Sequence, residues 1–236
     1  MIFFKSFTRP RAICFDLDDT LYDNTVPIAA AERYIREFAG KHYLGGRTLS
    51  PEEYAETKAA VIRECPELAA DVSMVRYFAY RQILLDFGYP REEAGVLAHG
   101  ITEEFIRVRS RIEIPDDALE TLLVLRKHYP LAALSNGNAD MKRTRLAPVF
   151  EHIWRPVSGF SPKPAGDLFW MAAGYYGISP SELLFVGDDP LNDISGALRF
   201  GCQVCWQTQY RKPEREIMSL PHVMISHIRE LIDLLL

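Results

Sequence analysis

Hydrophobic positions along the chain fall into two patterns. Short, mostly apolar runs occur at 12–15, 131–134, 183–186, 203–206 and 223–225, and a weaker one at 150–155. Short apolar runs bounded by polar loops predict strands buried on both faces. Between them lie helical stretches at 165–176 and 194–200, the latter stopped by Gly201. Three further start signals stand at Asp117-Ala118-Leu119-Glu120, at Ser179-Pro180-Ser181-Glu182, and at Ser226 before the last helix. Alternating strands and helices predict an α/β fold: a Rossmann-like parallel-sheet core with helices on both faces.

Residues 27–112 follow the second pattern, with no strand-type alternation. One helix is predicted over 27–39 from Ile28, Ala31, Ile35 and Phe38. A second begins at Ser50-Pro51-Glu52-Glu53, with cap, proline and glutamate in register. A third runs from about Ser73 to Gly88, carrying Val75, Phe78, Ile83 and Leu84. A fourth covers 91–111 through Val96, Leu97, Ile101, Phe105 and Val108. The expected organisation is a catalytic core of residues 1–23 and 115–236, with an all-helical cap, 24–114, inserted into it.

Composition narrows the class. With 236 residues the chain has enough material for one core and an insertion. A formal net charge of −5 gives no reason to expect a nucleic-acid partner. No apolar run reaches the length of a membrane span, and the N-terminal apolar stretch is too short for a secretory signal, so the cytoplasm is expected. Of the four cysteines, Cys202 and Cys205 have C-x-x-C spacing, but in a strand residues i and i+3 face opposite ways. With no second Cys or His pair to complete a zinc site, they read as structural.

The first strand ends in Phe15-Asp16-Leu17-Asp18-Asp19-Thr20, three acids within four residues. In extended chain Asp16 and Asp18 share a face. Taken alone, this is an acidic turn or a cation and acid/base site. Other polar loops also follow strands: Ser135-Asn136-Gly137-Asn138 and Gly187-Asp188-Asp189, the latter with Asp193 just beyond. Parallel α/β sheets bind ligands beyond the carboxyl ends of their strands, so these loops are expected at one rim. Lys163 lies between Pro162 and Pro164 ahead of a helix. Six carboxylates and one lysine leave a negative excess that a hard divalent cation offsets, and Mg²⁺ suits a few carboxylates plus a phosphate. Ser135 and Asn136 supply a hydroxyl and backbone N–H groups for an anion.

The ordered set Asp16-x-Asp18-x-Thr20, Ser135, Lys163 and Gly187-Asp188-x-x-x-x-Asp193 resembles the haloacid dehalogenase superfamily of phosphatases. The helical insertion matches that family's cap position. Asp16 to Asn24, Ser110-Arg111-Ile112, Asn136-Gly137-Asn138 and residues 201–206 are similar to its flavin-pathway phosphatases. The resemblance implies that Asp16 is the nucleophile, forming an aspartyl phosphate, and that Asp18 is the general acid/base. It implies Mg²⁺ held by the Asp16 and Asp188 side chains and the Asp18 carbonyl. Ser135, the Asn136 N–H and Lys163 would bind the phosphoryl group, and Asp193 would orient Lys163 or a metal-bound water. Asp189 is left between metal and solvent, and Asp19 is expected to cap a turn. Dehalogenases of the family lack the second acid and its transport ATPases carry threonine there, so Asp18 implies a phosphatase acting on a small phosphorylated metabolite. Ribitylaminouracil phosphate and flavin mononucleotide are the substrates implied. A phosphomutase of the same family, a phospho-aspartate signalling module and a non-catalytic partner protein are the competing readings. Arg76, Tyr77, Arg81 and Arg109 of the cap are open to substrate contact or to ordinary core and surface roles.

Overall fold

The computed structural model describes residues 1–156, 160–210 and 219–236. They form two compact units: residues 1–24, 113–137 and 141–236, and residues 25–112 with 138–140.

The first unit is built on a seven-stranded sheet. Its strands are β1 (Ile2–Phe3), β2 (Ala12–Phe15), β3 (Leu131–Leu134), β4 (His152–Trp154), β5 (Leu183–Gly187), β6 (Gln203–Gln207) and β7 (Val223–Ile225). The order is β1-β7-β6-β5-β2-β3-β4, and all pairs are parallel except β1 with β7. Every residue of β2, β3, β5 and β6 is buried, as continuous apolar runs predict for strands covered on both faces. On one face Cys14, Leu134, Phe185 and Trp206 pack against Leu168, Phe169 and Ala172 of α6 (Asp167–Tyr176) and Ala197 of α7 (Gly196–Phe200). The alternate residues, Ile13, Phe15, Leu184 and Val186, point to the other side. Elsewhere in this unit α5 (Asp116–Leu125) packs with α8 (Glu230–Leu235). Cys202 and Cys205 are both buried and free.

Several boundaries differ from the pattern. β1 was not expected: two apolar residues give no periodicity, and only their pairing with Val223 and Met224 makes them a strand. The helix expected at Asp117 starts at Asp116, behind Pro115, with no side-chain cap bond. The box at Ser179 caps only a single 3₁₀ turn, Pro180–Glu182, which passes directly into β5. The helix expected from 194 begins earlier, as a wide turn over Pro190–Ser195 capped by Asp189, before α7 takes over.

The second unit contains α1 (Thr25–Tyr43), α2 (Pro51–Glu64), α3 (Val72–Asp86) and α4 (Arg91–Arg109) around a core that includes Ile35, Tyr54, Tyr80, Leu84, Ile101 and Phe105. Ser50 and Glu53 form the predicted reciprocal cap of α2. Arg76 lies inside this core. Its guanidinium donates to Glu32 at 2.7 Å and to the Tyr54 hydroxyl at 2.8 Å, and sits 3.3 Å above the Phe105 ring. A buried cation needs such partners, so Arg76 is committed within the bundle. The three residues 138–140 belong to this unit: Asn138 Nδ2 donates to Ser73 Oγ at 3.0 Å and Asp140 N–H to Ser110 Oγ at 2.7 Å.

Candidate active site

The central pair of strands sets the site. Phe15 of β2 lies opposite Val186 of β5, so Asp16 and Asp188 leave the sheet side by side. The Asp16 N–H still donates to the Val186 carbonyl at 2.9 Å, which fixes the first acid at the strand end. β3 flanks β2 on the other side and delivers Ser135, whose N–H donates to the Trp154 carbonyl at 3.1 Å.

Lys163 comes from far along the chain yet is 2% exposed. Its Nζ donates to Asp16 Oδ1 at 2.6 Å and to Asp193 Oδ1 at 2.7 Å. The Asn136 carboxamide holds the backbone there: its Nδ2 donates to the Lys163 carbonyl at 2.8 Å and its Oδ1 accepts the Lys163 N–H at 2.9 Å. The Asn136 side chain is thus spent on positioning Lys163, which leaves its backbone N–H as the group offered to a ligand. The Ser135 hydroxyl accepts the Gly137 N–H at 3.0 Å and is almost wholly buried.

Asp193 is an organising acid. One oxygen takes Lys163, and the other accepts the backbone N–H groups of Asp188 at 3.1 Å and Asp189 at 3.0 Å. Gly187 makes room for it, because a Cβ there would lie 2.5 Å from the Asp193 Cβ. Asp189 uses Oδ1 to accept the N–H groups of Leu191 and Asn192, as a helix cap. Asp19, at φ +61°, accepts the Asn24 N–H at 2.9 Å just ahead of α1.

Four supporting residues had no role assigned from sequence. Thr20 is fully buried and donates to Asp188 Oδ1 at 3.0 Å, with Asp16 Oδ2 at 3.4 Å. The Tyr22 hydroxyl donates to Asp18 Oδ1 at 2.5 Å. Trp206 donates its indole N–H to the Asp188 carbonyl at 2.9 Å, and Gln207 donates to the Thr20 carbonyl at 3.3 Å. The i, i+4 spacing of Asp16–Thr20 and Asp18–Tyr22 was visible in the sequence; the contributions of Trp206 and Gln207 depend on β6 lying beside β5.

A cavity of about 230 Å³ opens here, lined among others by Asp16, Asp18, Asn136, Lys163, Asp188 and Asp189. Asp16, Asp188 and Asp193 each offer a carboxylate oxygen within 4.8 Å of the others. The electrostatics show what such a set requires. Burial pushes the Asp16 carboxyl well above the usual range; the Lys163 ammonium opposes this, while Asp193, Asp188 and Asp18 add to it. Burial, then the Asp193 charge, push Asp188 up to about 8. Burial alone would lower the Lys163 pKa, but Asp16 and Asp193 more than reverse that and keep it protonated. One ammonium does not balance three buried carboxylates. Both Asp193 oxygens accept bonds of 2.7–3.1 Å, whereas Asp16 Oδ2 is met by Thr20 at 3.4 Å, so Asp16 and Asp188 are the acids better suited to a hard cation.

The chain matches the model of the family described as "haloacid dehalogenase-like hydrolase" over residues 10–201. It is 35% identical over 241 aligned residues, covering all of both chains, to 5-amino-6-(5-phospho-D-ribitylamino)uracil phosphatase YigB of Escherichia coli. It is 26% identical to glyceraldehyde 3-phosphate phosphatase of Pyrococcus furiosus, over 96% of this chain and 93% of that one. Among solved structures, a 2-haloacid dehalogenase from Pseudomonas syringae superposes with a TM-score of 0.88 at 28% identity, covering 95% of this chain and 97% of that one. The family match spans both the strand that carries Asp16 and the loop that carries Asp188 and Asp193, and the full-length relative is a phosphatase: this chain belongs to the haloacid dehalogenase-like hydrolases, and is a phosphatase among them.

Proposed function

We propose that the protein hydrolyses a small phosphate monoester with Mg²⁺ through an aspartyl-phosphate intermediate. The observation that carries this reading is the convergence of Asp16, Lys163, Asp188 and Asp193 from three separate stretches of chain, with Asp18 beside them turned to Tyr22.

An Asp16 oxygen attacks phosphorus, and the bond from phosphorus to the leaving alkoxide breaks. Lys163 holds Asp16 in place and offsets charge between it and the incoming phosphoryl group. Ser135 and the Asn136 N–H face the phosphoryl oxygens at the end of β3. Asp18 gives a proton to the departing oxygen, then takes one from the water that attacks the phospho-aspartate. Unaided monoester hydrolysis is so slow that acceleration up to about 10²¹-fold is required, so a poor leaving group needs that proton. Asp16, Asp188 and the Asp18 carbonyl would hold Mg²⁺, which would supply positive charge beside the phosphate and the ionised nucleophile. Asp193 positions Lys163 and the Asp188 loop.

For the substrate we propose 5-amino-6-(5-phospho-D-ribitylamino)uracil, the compound in the name of the E. coli relative, or the related flavin mononucleotide. We place the enzyme in the cytoplasm, where four free thiols are compatible with a reducing environment. Among the described residues no helix is long and apolar enough to cross a membrane.

The test is phosphate release by the full chain with Mg²⁺ from a panel holding these two compounds and several sugar phosphates. Release from the ribitylaminouracil phosphate or flavin mononucleotide well above the sugar phosphates supports the reading. Isomerised sugar phosphate without free phosphate would make the protein a mutase. A lasting phospho-Asp16 without turnover would make it a signalling module.

A further inference from the structure

The loop after β2 gives each of its first two acids a hydroxyl partner four residues on. Asp16 faces Thr20, and Asp18 faces Tyr22. The backbone enforces this. The N–H groups of Thr20 and Leu21 both donate to the Leu17 carbonyl, and the Asp19 N–H donates to the Tyr22 carbonyl at 2.9 Å. Asp19 takes a positive φ to close the loop, and residues 18 and 22 come together as a bridged pair. Tyr22 is 1% exposed, so its ring is fixed by packing. A phenol O–H donates to a carboxylate oxygen, and here it does so to Asp18 Oδ1.

Asp18 needs such a partner. It lines the same cavity as Asp16, Asp188 and Asp189, whose charges repel a carboxylate turned toward them. It is also less buried than Asp16 or Asp19, so packing alone does not hold it. An aspartate has two freely turning side-chain torsions, and an acid/base that must serve first the leaving oxygen and then water works from one orientation.

We propose that Tyr22 is a positioning residue for Asp18: its hydroxyl donates to Oδ1 and holds the carboxyl in the orientation used for proton transfer. The inference rests on the acid/base role given to Asp18 above.

The experiment compares Tyr22→Phe and Asp18→Asn with the unaltered enzyme, each with Mg²⁺. The substrates are the best alkyl phosphate from the panel, and p-nitrophenyl phosphate, whose leaving group departs without a proton. Values of kcat/KM are compared, because they report the steps up to transfer onto Asp16. For Tyr22→Phe the alkyl ester is expected to lose about 10-fold, the scale of one hydrogen bond to a charged group, and p-nitrophenyl phosphate less than about 3-fold. Asp18→Asn should open a wider gap in the same direction. Equal losses on both substrates in Tyr22→Phe, or none, with the gap present in Asp18→Asn, overturn the role of Tyr22 and leave that of Asp18 standing. No gap in Asp18→Asn overturns the acid/base reading itself. Should Tyr22→Phe fail to fold, 3-fluorotyrosine at position 22 keeps ring and hydroxyl while strengthening the donor. It must then change the alkyl-ester rate more than the nitrophenyl rate, and an equal response overturns the inference.

Discussion

Gly187 and Asp193 are fitted to each other: the space a side chain would take at 187 is filled by the Asp193 carboxyl, with its Cβ, Cγ and Oδ2 2.5–2.6 Å from where a Cβ would stand. That fit lets one carboxylate bind Lys163 on one side and the backbone of the Asp188 loop on the other. Gly187→Ala therefore pushes Asp193 off both partners. Overpacking of this kind costs about 1–3 kcal/mol. We expect a lower melting temperature together with a loss of activity larger than the stability change explains, measured by thermal unfolding and phosphate release on the same preparation.

Asp16→Asn keeps the shape of the side chain and an oxygen for Lys163, but removes the nucleophile. The fold should persist, seen as an unchanged far-ultraviolet spectrum. Turnover should fall by at least about 10³-fold, and no labelled phospho-enzyme should be trapped. Retained turnover would exclude the covalent route.

The Asp188 pKa gives a pH dependence with a definite sign. Its folded value, about 8, lies above the ordinary 3.8, so between these values the folded protein binds more protons than the unfolded chain. Stability of the metal-free protein therefore falls as pH rises through that window. Asp16 shifts in the same direction. Mg²⁺ binds the ionised carboxylates, so it should raise the melting temperature more at pH 8 than at pH 5. Asp188→Asn should flatten both trends. A metal-free melting temperature that climbs from pH 5 to pH 8 in the parent protein, and no longer climbs in Asp188→Asn, contradicts this assignment.

Trp206→Phe removes the donor to the Asp188 carbonyl and keeps most of the ring volume. Losing that hydrogen bond costs about 0.5–1.5 kcal/mol. The loop that carries Asp188 loosens, so the Mg²⁺ concentration for half-maximal activity should rise several-fold, with a smaller change in the rate at saturating metal. A magnesium titration of activity reads both.

Much of the core was legible because its strands are short, continuous and followed at once by acids or small polar residues. Ala12–Phe15 then Asp16 and Leu183–Gly187 then Asp188 are readable from order alone, because parallel strands deliver their C-terminal loops to one rim. The partnerships were not legible. That the Asn136 side chain is consumed by the Lys163 backbone, or that Trp206 supports Asp188, follows from which strands are neighbours and from side-chain rotamers, which no spacing rule encodes. Arg76 shows the same limit: from sequence its charge is open to substrate contact, a solvated face or the bundle core, and only Glu32, 44 residues earlier, decides for the core. The turn at Pro190–Ser195 is hidden because the apolar pattern begins only at Ile194, while the turn is started by Asp189.

The polypeptide crosses from one compact body to the other not twice but four times, since Asn138–Asp140 belongs with the helices. Splicing residue 24 directly to 113 would delete Ser73 and Ser110 and strand the groups that bond to them, within three residues of Ser135 at the nearest. For anyone grafting a different insertion onto this scaffold, the transplant must therefore include those two serines or replace what they supply.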